Sequence, residues 1–237
     1  MNPGIKLTLT SAILTILVIG LGACQPKAVR PTVEIPAPTG VADTTGAARY
    51  EVDSVASEVR VLVYRGGTMA RLGHNDVLSS RSVTGTRQLH RDIARSRFEL
   101  TLPVISLIVD DPQAREMEGA EFAAEVPEAA RAGTRHNLQR PEVLDAERFP
   151  TILMQSTAVS GTHDNPVLLM RVTIKGVTRD VTALARVKEE GDRLIADGEF
   201  AIQQTDFGIT PFNPALGALQ VQDRLGIKFS IVCRMQQ

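Results

Sequence analysis

Val167-Leu168-Leu169-Met170-Arg171-Val172-Thr173-Ile174-Lys175 opens a run of alternating residues that continues to Cys233. Leu168, Met170, Val172 and Ile174 fall on one side, with Arg171, Thr173 and Lys175 on the other. The pattern returns with Val181, Ala183, Ala185 and Val187 against Thr182 and Arg186, then with Leu194, Ala196, Gly198, Phe200 and Ile202 against Asp197 and Glu199. It ends with Leu225, Ile227, Phe229, Ile231 and Cys233 against Arg224, Lys228 and Ser230. Period two over four successive segments predicts antiparallel strands with one dry face and one wet face. Gly176 and Glu189-Glu190-Gly191-Asp192 read as the hairpin tips between them.

Upstream, Tyr50-Glu51-Val52-Asp53 and the stretch 57–64 predict the start of the same sheet, so the final strand is expected to close against the first. Residues 97–105 and 151–159 add further strands, and residues 82–87 a short one in which Gly85 marks a bulge or turn. Between residues 111 and 137 the alternation stops. Pro112 behind Asp110-Asp111 reads as a capped helix start, and Pro127 interrupts the alanine- and glutamate-rich text that follows, which predicts one or two short helices. About eight strands joined by sequential hairpins fit a barrel wide enough to hold one ligand, and equally a two-sheet sandwich with a filled core.

The chain's net charge of −1 gives no basic face for nucleic acid. With 4% aromatics and no Trp it has no platform for stacking bases or sugars. Its two cysteines sit in different contexts, which argues against a disulfide framework. Lys6 precedes a charge-free apolar run over residues 7–20, too short for a membrane span and laid out as a secretory signal. That run ends in Leu21-Gly22-Ala23-Cys24, which resembles a bacterial lipobox. The resemblance implies export, cleavage before Cys24, lipid on its thiol and new amino terminus, and a periplasm-facing place in the cell envelope. Gln25 in the next position implies sorting to the outer membrane. Residues 1–23 are thus expected to be a lipoprotein signal peptide. Residues 24–48, with Pro26, Pro31, Pro36 and Pro38, are expected to be the lipidated cysteine and a flexible tether, and residues 49–237 the folded domain.

Across that domain the order of motifs resembles the YceI-like family. The likeness is carried by Tyr50-x-Val52-Asp53, by Leu144-Asp145-Ala146-Glu147-Arg148-Phe149-Pro150 leading to Ser156, by Val172-Thr173-Ile174-Lys175-Gly176-Val177-Thr178, and by Asp206-Phe207-Gly208-Ile209. It implies an all-β, about eight-stranded antiparallel barrel of lipocalin-like shape with a short helical insertion, enclosing an isoprenoid or quinone-like lipid. Gly73-His74-Asn75-Asp76, Asp110-Asp111-Pro112 and the Pro211-Phe212 loop depart from the simplest members and mark a subgroup.

His74-Asn75-Asp76 is the most chemically suggestive stretch. A His and an Asp two apart on a strand point the same way and suit a polar mouth, a metal or an acid–base pair. A metal needs at least one more ligand, and the local sequence supplies none, so no metal is expected there. No catalytic residue is expected either: Ser106 and Ser156 lack nucleophile-elbow text, and Cys233 reads as a small buried hydrophobe. Asp110-Asp111 has the carboxylates to bind Ca²⁺, but two acidic residues before a helix read better as its cap. His74 and Asn75 are the expected polar contacts of a bound ligand, and Phe98, Phe200 and Phe229 its expected apolar walls. The reading favoured is a membrane-tethered carrier, held through Cys24, for a small apolar ligand and needing no further cofactor. The alternatives are a redox-accessory protein or enzyme using His74 and Asp76 at a bound head group, and a structural envelope lipoprotein with a filled core.

Overall fold

A computed structural model describes residues 45–213 and 217–236. The expected signal segment, Cys24 and residues 25–44 of the tether lie outside the described residues. In chain order the strands are β1 (Ala48–Val52), β2 (Glu58–Val63), β3 (Arg65–Gly66), β4 (Asp76–Ser80), β5 (Thr84–Leu89), β6 (Arg97–Pro103), β7 (Ile108–Val109), β8 (Thr151–Gly161), β9 (Pro166–Ile174), β10 (Val177–Glu190), β11 (Arg193–Gln203), β12 (Gln220–Val221) and β13 (Arg224–Met235). Strands β1, β5, β6, β8, β9, β10, β11 and β13 pair in that order, and β13 returns to β1. The result is a closed eight-stranded antiparallel barrel, which removes the sheet edges that a sandwich would leave open.

The long hairpins β8–β11 and β13 are those read from the alternation. Their inner positions Met170, Val172, Ala183, Val187, Leu194, Ile227, Ile231 and Cys233 are buried in one apolar cluster. The β9–β10 turn places Lys175 and Gly176 at φ +52° and +75°, as a tight two-residue hairpin turn demands. A side chain on Gly176 would also run into the Phe149 ring at 2.7 Å.

Three of the barrel strands are broken in two. β13 pairs through its C-terminal end with β1 (Val52↔Cys233) and through its middle with β2 (Ser230↔Glu58). β2 continues to β4 and β4 to β7, just as β1 continues to β5 and β5 to β6. At the first break, residues 53–57, the fully buried Ser57 takes over the missing ladder partner. Its hydroxyl accepts from Val232 N–H at 3.0 Å and donates to the Asp53 carbonyl at 2.7 Å, so a buried backbone donor is not orphaned.

The helical insertion holds α1 (Pro112–Glu116) and α2 (Glu128–Gln139). Leu62 and Val77 point to the outer face of β2 and β4, where they meet Ala114 and Phe122 of the insertion, and Tyr64 packs edge-on against Phe122 with ring centres 5.6 Å apart. Glu118 pins this segment to the barrel wall, accepting from Arg60 Nε and Lys228 Nζ at 2.6 Å each. Those two cations hold its carboxyl below the usual range, although burial opposes the shift.

Candidate functional site

The interior of the barrel is hollow. A cavity of about 330 Å³ lies between the inner faces of β2, β8, β9, β11 and β13 at one end, within the size range of small-molecule pockets, roughly 300–1,000 Å³. Its walls are apolar, with Val61, Val172, Ile174, Ile202, Leu225 and Ile227 among them. Helix α2 closes over it through Thr134, Asn137 and Leu138, which share one helical face at i, i+3 and i+4. Phe207 and Phe212 of the loop after β11 complete the rim. A smaller cavity of about 90 Å³ continues toward the other end and is lined by Phe98, Phe200, Phe229 and Cys233. Val59, Met154, Phe200 and Ile227 border both spaces and form the partition.

Of the phenylalanines expected to face inward, Phe200 therefore stands between the two cavities, and Phe98 and Phe229 line the smaller one. The Phe200 and Phe229 rings lie 6.3 Å apart. Gly198 makes room for them: a Cβ there would stand 2.5 Å from the Phe229 ring and 2.4 Å from the Leu184 carbonyl oxygen of the neighbouring strand.

Two of the polar groups that border the large cavity stand side by side. His74 and Asp76 both line it, with His74 Nε2 3.2 Å from Asp76 Oδ1. Asp76 opens β4, and His74 sits in the loop just before it, so the two-residue spacing brings both side chains to the inner side. Asn75 lies between them and is placed differently from the ligand contact expected of it. Its amide is spent on the fold: Oδ1 accepts from Arg65 N–H at 3.0 Å and Nδ2 donates to the Glu121 carbonyl at 3.1 Å. Asn75 lines neither cavity.

Asp110 and Asp111 read alike in sequence but part in the structure: only Asp111 caps α1, accepting from Gln113 and Ala114 N–H at 3.0 and 3.1 Å. Asp110 adopts φ +52° and turns inward, with a side chain wholly shielded from solvent. Its Oδ1 accepts from Val77 N–H at 2.8 Å and from the Arg115 guanidinium. One ligand atom each from His74, Asp76 and Asp110 lies within 4.8 Å of the other two. Burial pushes the Asp76 carboxyl up to about 7; the Asp110 charge and a hydrogen bond to Asp110 add to the shift, and Arg115 offsets part of it.

The sequence profile of the YceI-like domain matches residues 50–233. The chain belongs to the YceI-like family. BcnA of Burkholderia cenocepacia is a structural neighbour at TM-score 0.56 and 17% identity, covering 76% of this chain and 98% of its own. A YCEI protein of Campylobacter jejuni aligns at TM-score 0.46 and 12% identity over 66% of this chain and 82% of its own. A search of curated proteins by sequence matches none.

The YceI-like barrel also accounts for Cys233. Burial on the inner face of β13 pushes its thiol up to about 11, against a smaller opposing pull from Arg87. A thiol with a raised pKa is protonated below that value and gains reactivity only as pH rises through it. At about pH 8 its thiolate fraction is on the order of one in a thousand. Native protein is expected to resist iodoacetamide at Cys233 at that pH and to be alkylated there promptly once unfolded, as peptide mass mapping would record.

Proposed function

We propose that this YceI-like protein binds a small apolar ligand, of the isoprenoid or quinone-like class, inside its barrel and carries or sequesters it at the bacterial cell envelope. The observation that carries this reading is the large cavity, apolar over most of its wall, with His74 and Asp76 among the polar side chains that border it. A protein selected only for stability would fill such a space, because each missing contact costs dispersion and transfer energy. Barrels of this family are binders of apolar ligands, which supports the same reading. Affinity would come from removing apolar surface from water at about 25 cal/mol per Å², less the cost of immobilising the ligand. The polar wall would set the ligand's orientation, and no chemical step is required of it.

The tether belongs to this proposal. No helix of the described residues is long and apolar enough to cross a membrane, and acylation at Cys24 would hold the barrel at the bilayer from which an apolar ligand must come. Cys24→Ser is expected to shift the protein from the membrane fraction to the soluble fraction on cell fractionation; retention on the membrane would remove the lipid anchor from the account. For the barrel itself the test is titration of the full chain with an apolar naphthylamine fluorophore. Saturable binding at one site, displaced by a quinone or prenol, is expected. Binding that never saturates, or that neither lipid displaces, would oppose the proposal.

A further inference from the structure

We propose that His74, Asp76 and Asp110 form a binding site for a divalent transition-metal ion in the wall of the large cavity. This goes beyond the apolar-ligand reading and does not depend on it.

The three residues reach one point from three separate places in the fold. His74 comes from the loop before β4, Asp76 from the first position of β4, and Asp110 from the turn between β7 and α1. Their ligand atoms all lie within 4.8 Å of one another. The His74 Nε2 to Asp76 Oδ1 separation is 3.2 Å. Bonds of about 2.0–2.1 Å in a tetrahedral shell put neighbouring ligand atoms about 3.3 Å apart, so that edge already has the right length.

A second observation is independent of this clustering. Asp76 Oδ1 and Asp110 Oδ2 are buried oxygens to which no N–H or O–H among the described residues donates, and the two carboxyls can bond each other only when one of them holds a proton. His74 Nε2 is near Asp76 Oδ1 but does not point a hydrogen bond at it, and the Asp110 side chain has no solvent exposure at all. Buried carboxylate oxygens are ordinarily satisfied, and unsatisfied ones mark an absent proton, water or ion. Two of them beside an imidazole nitrogen is a set of lone pairs awaiting an electrophile.

The ligand chemistry sets the class of ion. One imidazole with two carboxylates suits Zn²⁺ and its first-row neighbours, whereas Mg²⁺ and Ca²⁺ favour all-oxygen shells. Charge fits as well. Arg115 already pairs with Asp110 Oδ1, so the cluster with neutral His74 carries one net negative charge, and a dication makes it singly positive rather than strongly so. Arg115, which also donates to the carbonyls of Asn75 and Ala124 at 2.8 and 2.9 Å, fixes the Asp110 carboxylate in the manner of an outer-shell partner. Because His74 and Asp76 line the large cavity, the remaining coordination positions open onto it.

The test uses the full, untagged chain, stripped with chelator and titrated with Zn²⁺ by calorimetry and with Co²⁺ by visible absorption. One saturable equivalent of Zn²⁺ is expected, with Co²⁺ giving ligand-field bands that Zn²⁺ abolishes. His74→Gln and Asp76→Asn are each expected to weaken Zn²⁺ at least about tenfold and to lose the Co²⁺ bands. Asp110→Asn also disturbs Arg115, so the partly exposed His74 is the cleaner probe, and the melting midpoint of metal-free His74→Gln is the control for folding. Absence of a saturable equivalent in the wild-type chain would overturn the site. So would a folded His74→Gln variant that binds Zn²⁺ as tightly as wild type; the carboxyls would then simply share a proton.

Discussion

Arg115→Met is expected to destabilise the barrel by about 3–5 kcal/mol, the usual cost of leaving a buried charge without its partner. Arg115 is itself buried and makes three contacts at once: the ion pair with Asp110, and hydrogen bonds to the carbonyls of Asn75 and Ala124. Those carbonyls belong to the His74 loop and to the insertion, so one guanidinium joins β4, the β7–α1 turn and the segment before α2. Methionine keeps much of the apolar volume but none of the five donors. For a domain of this size each kcal/mol shifts the melting midpoint by about 2–4 °C, so a fall of roughly 10 °C is expected in a thermal scan. Adding Asp110→Asn should recover part of the loss, because it removes the unpaired charge. A double-mutant cycle in urea would show strong coupling between the two positions. A single Arg115→Met variant as stable as wild type would mean that the ion pair does not hold the insertion.

The second large effect concerns binding. Ile202→Trp is expected to weaken an apolar probe at least about tenfold, roughly 1.4 kcal/mol or more, while the barrel stays folded. Ile202 lies on β11, partly buried on the inner face and in the wall of the large cavity. A residue bordering empty space can grow into it without the overpacking strain that a filled core imposes. The enlarged ring would occupy volume that the ligand needs. The chain has no other tryptophan, so the emission of the new indole also reports its own surroundings: blue-shifted emission places it in the apolar interior. Unchanged probe affinity with a blue-shifted indole would place the ligand elsewhere than the large cavity.

The sheet was legible because a strand with one wet face records its orientation in every second residue. Val172, Ile174, Ile227 and Ile231 could be assigned to the inner face for that reason. β4 escaped the same reading. Its outer face is covered by the insertion, so Val77, Leu78, Ser79 and Ser80 are all buried and no alternation survives. The broken strands were equally hidden, since the Ser57 hydroxyl that repairs the first break does so 175 positions away at Val232. At the polar wall the local half was readable: His74 and Asp76 are two residues apart and do converge. The distant half was not. Asp110 and Asp111 look alike in sequence, and it is the positive φ of Asp110 that sends one carboxylate inward and leaves the other to cap α1. The placement of Asn75 is hidden for a related reason, because its partners at Arg65 and Glu121 lie 10 and 46 positions away. Nor does any alternation state whether an apolar face encloses a packed core or a space; the cavity is a property of all eight strands together.

That space is the central claim, and its contents can be weighed directly. The untagged full chain, purified gently from its own host, would be extracted with organic solvent and the extract quantified by mass spectrometry against protein. A near-stoichiometric isoprenoid or quinone-like lipid is predicted, reduced in the Ile202→Trp protein purified alongside. Repeated extracts with no apolar molecule above the level carried by an unrelated protein purified in the same way would contradict the account.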